Sequence, residues 1–401
     1  LFVLMRKKIV LFFYITLSLM MGAGIFNYIV DPYGLFRTIE LQGFNQQKEG
    51  VRSKIRYVKS IEISLRKPKT IIMGSSRVHD GVNPEYIKEK SFLPVYNYGL
   101  DMARIKEIKQ YLKHAVINSK IEYLILGLDY FMFNKYQRLN VTYDKTMIGR
   151  RINYFDVYFK TLFTMSALKD SIKTIKISAN QNKRKEFLAN GYRPGDQVFY
   201  KLKNYEKLHK NTNWIFLTTR PQDTLYYSKM ALDQESLNDF QEIIKICKKH
   251  NIDLKLYISP AHASLDGEGI NAVGLQPEFE KWKEYITDIT NKSKVTLTDF
   301  SGYNLITTEA VRTPMKNYWD SSHFTESIGD MILDNILYSK KIDNFGIDLT
   351  PDNIKNHLKV NKKNRIIYLK SEHEYLGSLH EMYEKALNGD RQDVESLAGM
   401  F

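Results

Sequence analysis

Short apolar runs and helical stripes of apolar residues alternate along most of this chain. Stretches of strand length that are rich in apolar, aromatic or β-branched residues occur at 70–73, 94–99, 121–129, 254–260 and 295–300. Between the runs, apolar residues recur at three- and four-residue spacing, as in the stretch 101–117. Buried strands that alternate with amphipathic helices are typical of βαβ units. The pattern therefore predicts an α/β fold with three α/β/α layers and a mainly parallel sheet of about five strands.

This rhythm is interrupted between about 130 and 233, where the chain is aromatic and basic and has no clean strand pattern. The segment is too long for a plain loop, so we expect an insertion that shapes access to a substrate. The tail is charged and is predicted to be helical. The predicted division is an α/β domain over 33–345, which carries the insertion, followed by a C-terminal extension over 346–401.

The N-terminal segment 1–32 has the composition of a membrane anchor. A basic cluster at 6–8 precedes an uncharged apolar run over 9–30, and ~20 such residues cross a bilayer. The cluster predicts an N-terminus inside and a main domain that is extracytoplasmic, in the periplasm or at the cell surface. A cleaved signal peptide is the alternative. The run is long for one and no clear cleavage site follows it, which favours an uncleaved single-pass anchor.

Composition and charge narrow the class of protein. The 401 residues are 43% hydrophobic and 26% charged, as in a folded chain, and the formal net charge is +14. The basic residues are scattered and form no nucleic-acid motif, so no nucleic-acid partner is predicted. They form either a solvated surface or one that attracts an anionic membrane or glycan. Cys247 is the single cysteine, no metal-ligand spacing stands out, and no cofactor is predicted.

A turn that carries a hydroxyl group follows the first predicted strand. The run 70–73 leads into Gly74-Ser75-Ser76, and active sites of such sheets lie at the carboxyl ends of the strands. Ser76 is thus a candidate nucleophile, with the N–H groups of the following turn as oxyanion donors. Taken alone, Gly-Ser-Ser after a strand is also ordinary turn chemistry.

A carboxylate and an imidazole occur together far downstream. Asp320 and His323 are three residues apart, so a turn places them on one face. The carboxylate can then hold one ring nitrogen while the other takes a proton from serine. Taken alone, a helix cap and a surface histidine are the simpler interpretation, and only the combination with Ser76 favours catalysis.

These residues form one ordered series, with a candidate after successive strands: Ser76, Gly99, Gly127-Leu128-Asp129 and Asp320-x-x-His323. In this series, over roughly 69–337, the chain resembles the SGNH, or GDSL-like, hydrolase superfamily. It looks closest to the membrane-anchored extracytoplasmic branch with DltD-like and AlgX/AlgJ-like proteins. The resemblance implies an SGNH/flavodoxin-like fold and a triad of nucleophile Ser76, general base His323 and orienting Asp320. It also implies that the Gly99 N–H helps to form the oxyanion hole.

The third block departs from the family pattern. Where the family has Gly-x-Asn-Asp, with the asparagine as an oxyanion donor, this chain has Asp129. An ionised carboxylate would repel an oxyanion unless burial raised its pKa. Asp129 therefore weakens hydrolysis, acts in another role, or indicates that the site is not an ordinary esterase.

Two further residues are candidates for the same cleft. Arg77 follows the candidate nucleophile and is a candidate for binding an anionic group, with a structural ion pair as the alternative. His262 follows the end of the strand at 254–260 and is a candidate for lining the cleft.

The resemblance implies a serine esterase or O-acyltransferase that acts on acyl, chiefly acetyl, groups of a cell-surface or secreted polysaccharide. Transfer is preferred to plain hydrolysis by analogy with the anchored branch. The expected partners are this cell-envelope glycan and a membrane-bound acyl-transfer protein. The alternative, favoured by Asp129, is an inactive SGNH-fold protein that acts as a binding or assembly factor in envelope glycan modification or export.

Overall fold

A six-stranded sheet forms the centre of the fold in a computed structural model that describes residues 2–137, 139–140, 147–180, 185–196, 204–217 and 230–387. The strands are β1 (Thr70–Met73), β2 (Val95–Asn97), β3 (Tyr123–Leu128), β4 (Asp253–Ile258), β5 (Leu297–Asp299) and β6 (Ile347–Asp348). Their order is β2-β1-β3-β4-β5-β6. The first five are parallel, and β6 pairs antiparallel with β5. The predicted α/β class with a mainly parallel sheet is confirmed.

The helices are α1 (Phe2–Val30), α2 (Glu49–Arg66), α3 (Ser76–Gly81), α4 (Ile105–Asn118), α5 (Tyr154–Leu162), α6 (Met165–Ser178), α7 (Tyr205–Leu217), α8 (Gln234–Lys249), α9 (Gln276–Lys292), α10 (Glu326–Tyr338), α11 (Ile354–Ser371) and α12 (His373–Leu387). Short 3₁₀ turns occur at Pro84–Tyr86 and Tyr130–Phe133, and a π-helical segment at Ser264–Gly269 continues into a single α-helical turn at Ile270–Ala272.

Helices cover the sheet on both faces, which explains why every position of β1 is buried and why three of its four residues are apolar. Ile71 and Met73 pack in one core cluster with side chains of α4, α8 and α9. Ile72 points the other way, into a second cluster with Val78 of α3 and Ile328 of α10. Strands buried on both faces read as continuous apolar runs rather than alternating ones.

The sixth strand is the main departure from the predicted sheet, which had about five strands. β6 lies just after 345, where the sequence pattern predicts a helical extension. It is held to β5 by its ladder pairing and by Thr298 Oγ1, which donates to Asp348 Oδ1 at 2.7 Å. Two residues are too few to show a strand period, so only pairing with β5 defines this strand. The predicted extension is otherwise helical through α11 and α12, and its part after 387 lies outside the described residues.

The N-terminal helix differs from the others in its exposure. Within α1, Met5–Val30 is long and apolar enough to cross a membrane. Its side chains from 5 to 22 are exposed, and contact with the rest of the protein begins in its last two turns. There Asn27 Nδ2 donates to the Leu162 carbonyl at 2.7 Å, and Ser171 Oγ donates to Asn27 Oδ1 at 2.8 Å. The domain boundary predicted at 32 stays a prediction.

Two helices that border the carboxyl ends of the strands meet at backbone distance. A Cβ on Gly329 of α10 would lie 1.9 Å from the carbonyl oxygen of Gly81 in α3. Since α3 begins at Ser76 and α10 follows His323 by three residues, this contact draws the two candidate stretches together.

Candidate active site

The turn after β1 presents Ser76 at the place where ligands bind in such sheets. β1 lies between β2 and β3 in the sheet, so the connections from β1 and β3 leave in opposite directions and open a crevice between the strand ends. Gly74 adopts φ +156°, and a Cβ there would lie 2.3 Å from Val78 Cγ2, which restricts the position to glycine. Ser75 caps α3 by accepting the Arg77 N–H at 3.2 Å. Ser76 is the first residue of that helix and is partly exposed.

The three predicted triad residues lie in one hydrogen-bonded line. Ser76 Oγ is 2.9 Å from His323 Nε2. His323 Nδ1 is 2.9 and 3.0 Å from the two carboxylate oxygens of Asp320. An Nδ1–H that donates to Asp320 leaves Nε2 as an acceptor for the serine hydroxyl, which is the arrangement that activates a nucleophile.

The loop that carries Asp320 and His323 is fixed by its own backbone. Asp320 Oδ1 accepts the N–H groups of Ser322 and His323, each at 2.7 Å. The Trp319 N–H donates to the His323 carbonyl at 2.9 Å, which closes the loop. The two residues therefore share a face because of this loop, not because of a helical turn, since α10 begins only at 326.

Asp320 and His323 shift each other's pKa in opposite directions. Burial by itself would raise the pKa of Asp320, but the charge and hydrogen bonds of His323 outweigh burial and hold that pKa below its usual value. Burial would lower the pKa of His323, and the Asp320 carboxylate more than compensates, so that the pKa of His323 lies above its usual value. Asp320 thus stabilises the imidazolium that forms when His323 takes a proton.

Arg77 does not bind an exposed anionic group. Its guanidinium is buried and donates to Asp129 Oδ1 at 2.9 Å and to Asp266 Oδ2 at 2.8 Å. Its Nε donates to Ser322 Oγ at 3.1 Å. This one side chain connects the nucleophile turn to the end of β3, to the π-helical segment and to the Asp320–His323 loop. The structural ion pair left open by the sequence is the arrangement observed.

Asp129 is buried beneath the turn and is occupied on both oxygens. Ser75 Oγ donates to Oδ2 at 2.6 Å, and Arg77 donates to Oδ1. Sequence analysis left three explanations for Asp129, and the geometry supports the one in which it has a role other than oxyanion binding. As the counter-ion of Arg77, it connects the nucleophile turn to the end of β3.

The backbone N–H of Gly99 is also engaged in a hydrogen bond. Its N–H donates to Asn97 Oδ1 at 2.9 Å, while the Asn97 amide donates to the carbonyls of Val78 and Val82 at 2.9 and 2.8 Å. In this structure the Gly99 N–H holds α3 against β2 through Asn97 and is not free for an oxyanion. The expectation that Gly99 supplies an oxyanion donor does not fit this hydrogen bonding.

His262 lies under the site and does not line the cleft. It is fully buried, with Nε2 2.7 Å from the Glu309 carbonyl and Nδ1 2.9 Å from Ser264 Oγ. Its backbone N–H donates to the Ser321 carbonyl at 3.0 Å, which supports the Asp320–His323 loop from below. Burial lowers the pKa of His262 to about 4, so it stays neutral and structural.

The insertion supplies a residue that sequence reasoning did not single out. Arg193 donates to both oxygens of Asp80 at 2.7 Å and to Asp101 Oδ1 at 3.3 Å, and its N–H donates to the His79 carbonyl. His79, Asp80 and Asp101 are the one group with metal-ligand geometry in the described part of the chain. The guanidinium already neutralises its carboxylates. Nothing in the local pattern around 193 indicates partners more than 90 residues away.

Trp319 is the second residue that the sequence reasoning passed over. It is partly exposed and directly precedes Asp320, and Gly195 of the insertion packs against its indole ring. An aromatic residue beside the acid of a candidate triad was the available signal. The insertion therefore contacts the site at Arg193 and at Gly195.

No family model matches this chain, and no curated protein matches it.

Proposed function

We propose that this chain is a membrane-anchored serine esterase or O-acyltransferase of the SGNH type, with its main domain outside the cytoplasm. The observation that carries the proposal is the line from Ser76 Oγ through His323 to Asp320, with every step between 2.9 and 3.0 Å. The strand order 2-1-3-4-5, which is flavodoxin-like, supports the same fold family.

The proposed reaction has two symmetrical halves. Ser76 Oγ attacks the carbonyl carbon of an acyl ester while His323 Nε2 takes the hydroxyl proton, and His323 then returns that proton to the departing alkoxide. The acyl group now rests on Ser76 as an ester. A second hydroxyl, from an acceptor sugar or from water, gives its proton to His323 and attacks the acyl carbon, which frees Ser76 Oγ to recover the proton.

The oxyanion must be held by groups other than Gly99 and Asp129. The first N–H groups of a helix have no acceptor within that helix. Ser76 begins α3, and the Arg77 N–H is already capped by Ser75. The Ser76 N–H is therefore the proposed donor for the oxyanion, and it moves with the nucleophile itself.

The proposal that the substrate is an acyl group on a polysaccharide rests on the resemblance to the anchored branch of the superfamily, which is an argument by analogy. The partly exposed Trp319 beside Asp320 supports it physically, since an indole beside the triad offers a flat apolar surface of the kind that sugar rings pack against. Transfer to a glycan hydroxyl is preferred to hydrolysis, with a membrane-bound protein as the source of the acyl group.

The alternative is a binding or assembly factor that retains the fold without the chemistry. It is favoured by one specific observation: both expected oxyanion contributors, the Gly99 N–H and residue 129, are engaged in structural bonds. The distance between Ser76 and His323 favours the enzyme, because a protein without chemistry has no need to hold this contact.

The deciding experiment compares Ser76→Ala with the matched control Ser91→Ala, a hydroxyl on an exposed loop. Each purified variant is assayed on a chromogenic acetyl ester, and cells that carry it are assayed for the acetyl content of their surface glycans. We expect Ser76→Ala to abolish both readouts and Ser91→Ala to change neither. Full esterase activity in Ser76→Ala overturns the nucleophile. Normal glycan acetylation in Ser76→Ala cells, together with its loss in cells without the protein, establishes the assembly factor instead.

A further inference from the structure

Helix α5 exposes aromatic side chains that a water-facing helix would not carry. Only Val157 and Thr161 of this helix are buried. The outward positions hold Tyr154, Phe155, Tyr158 and Phe159, all exposed, and Phe155 is 80% exposed. Met165, in the first turn of α6, adds a further exposed apolar side chain. A contiguous apolar patch of this kind marks a surface that binds something.

This patch is attached rigidly to the last turns of α1. Phe163, which follows α5, packs on Gly24 so closely that a Cβ there would lie 2.4 Å from the ring. Tyr158 meets Phe36 at 5.9 Å between ring centroids, and Phe36 meets Tyr28 at 5.0 Å. Together with the bond from Asn27 to Leu162, these contacts fix α5 beside positions 24–28 of α1.

The level of that contact follows from helix geometry. A helix rises about 1.5 Å per residue, so a hydrocarbon core of about 30 Å is crossed by about 20 residues. Counted from Ile9, the first residue after the basic cluster, the core ends close to Tyr28. The end of α5 that contacts α1 thus lies at the depth where a bilayer passes from hydrocarbon to headgroups, which is where Tyr and other aromatic rings concentrate.

Exposed basic side chains are frequent on and beside α5. Arg150 and Arg151 precede the helix, Lys160 lies within it and pairs with Asp156 at 2.8 Å, and Lys169 and Lys176 follow on α6. Aromatic residues on one face with lysine and arginine around them are the pattern of a helix that lies in the membrane interface. Basic residues near the surface are attracted to anionic lipid headgroups.

We propose that α5 and the start of α6 form a second membrane contact, in which Phe155 and Phe159 insert between the headgroups of an anionic bilayer. The contact depends on α1 crossing the same bilayer, and it fixes the orientation of the main domain on its anchor. A single helix leaves its domain free to rotate and tilt, whereas a helix plus an interfacial face beside it does not.

Spin labels on the full chain test the contact. Cys247 is buried and is the single native cysteine, so Cys247→Ala gives a background for labelling one introduced cysteine at a time. The test position is Phe155→Cys. Ile15→Cys, in the middle of α1, reports the anchor itself. Leu305→Cys, which is 88% exposed in the loop after β5, is the matched water-exposed control.

Each labelled chain is reconstituted in phosphatidylcholine vesicles with and without phosphatidylglycerol. Relaxation of the label by oxygen, which dissolves in lipid, is compared with relaxation by a water-soluble nickel complex. We expect an oxygen-to-nickel ratio at 155 several-fold above that at 305 and below that at 15, with a fall at 155 when the anionic lipid is omitted.

Four results contradict the proposal, and each rules out a different part of it. A low oxygen-to-nickel ratio at 15 shows that α1 does not cross the bilayer, which also rules out the interfacial contact. A low ratio at 155 alone rules out only the interfacial contact. Protection of 155 from both oxygen and nickel means that a protein surface, a second copy or a partner, covers α5. A ratio at 155 that ignores lipid charge removes the role of the basic residues.

Discussion

The candidate triad and the candidate oxyanion hole were both predicted from residues that follow the ends of strands. In the structure the triad residues meet, whereas the polar groups of the predicted oxyanion residues are engaged elsewhere. On the nucleophile side, Ser76, His323 and Asp320 meet at hydrogen-bond distance. On the oxyanion side, Gly99 and Asp129 lie at the expected strand ends, but their polar groups pair with Asn97, Ser75 and Arg77. Position at a strand end thus indicates which residues are near a site, whereas the role of each is decided by its hydrogen-bond partners.

The difference has a physical cause. His323 and Ser76 are partly exposed, so each can present a lone pair or a hydroxyl to a substrate. Arg77 and Asp129 are buried, where a charge without a partner is costly. The buried polar groups on the oxyanion side therefore form hydrogen bonds and ion pairs with one another, and these bonds hold the nucleophile turn against the rest of the site.

The largest effect is expected on the nucleophile side. In His323→Ala no group takes the proton of Ser76, and by comparison with other serine triads turnover of a chromogenic acetyl ester falls by about 10⁶-fold. The control is His250→Ala, an exposed histidine at the end of α8, which leaves turnover unchanged. A loss below tenfold in His323→Ala would mean that the contact with Ser76 is not used.

Asp320→Asn is expected to lower turnover by roughly 10⁴-fold, because the amide no longer holds the productive tautomer of His323. It also changes the pH profile. His323 acts as a base only when neutral, so activity is lost as pH falls through its pKa, which Asp320 raises above the usual histidine value. Without that charge the acid limb of kcat/KM moves to lower pH. Asp288→Asn, at an exposed site on α9, is the control for both readouts; an unmoved acid limb would contradict the assignment.

On the oxyanion side, the expected effects are on stability. Arg77→Met leaves the carboxylates of Asp129 and Asp266 buried without their partner, which costs about 3–5 kcal/mol in free energy of unfolding. Lys292→Met breaks an exposed pair with Asp288 and is expected to cost below about 1 kcal/mol. Urea unfolding of the detergent-solubilised chain, followed by tryptophan fluorescence, measures both. Equal costs would show that the buried connection does not stabilise the fold.

The smallest effect is expected for Asp129→Asn, which tests whether the Asp129 carboxylate faces the oxyanion or faces Ser75 and Arg77. If its carboxylate faced the oxyanion, Asp129→Asn would remove a repulsion, add a donor and raise esterase activity. Because it faces Ser75 and Arg77 instead, we expect no gain in activity and a loss of about 1–3 kcal/mol in free energy of unfolding. Activity and urea unfolding measured on the same preparation decide between them, and a tenfold gain in turnover would place residue 129 at the oxyanion.

Regular elements with a long enough pattern were predictable. The strand predicted at 121–129 is β3 (Tyr123–Leu128). The helix predicted at 101–117 begins only at Ile105, because Met102 takes φ +57° in the turn before it. β6 has too few residues to show a period, and it exists only because β5 has a free edge to pair with.

The sequence by itself determined the α/β class, the apolar N-terminal helix, and the ordered series in which Ser76 comes first and His323 last. These follow from local period and from residue type, which do not depend on distant partners. The tertiary structure alone decided that Ser76 and His323 meet, that Arg77, Asp129 and His262 are structural, and that Arg193 and Trp319 border the site. Those outcomes depend on contacts between residues tens to hundreds of positions apart, and such pairings leave no signature in one sequence.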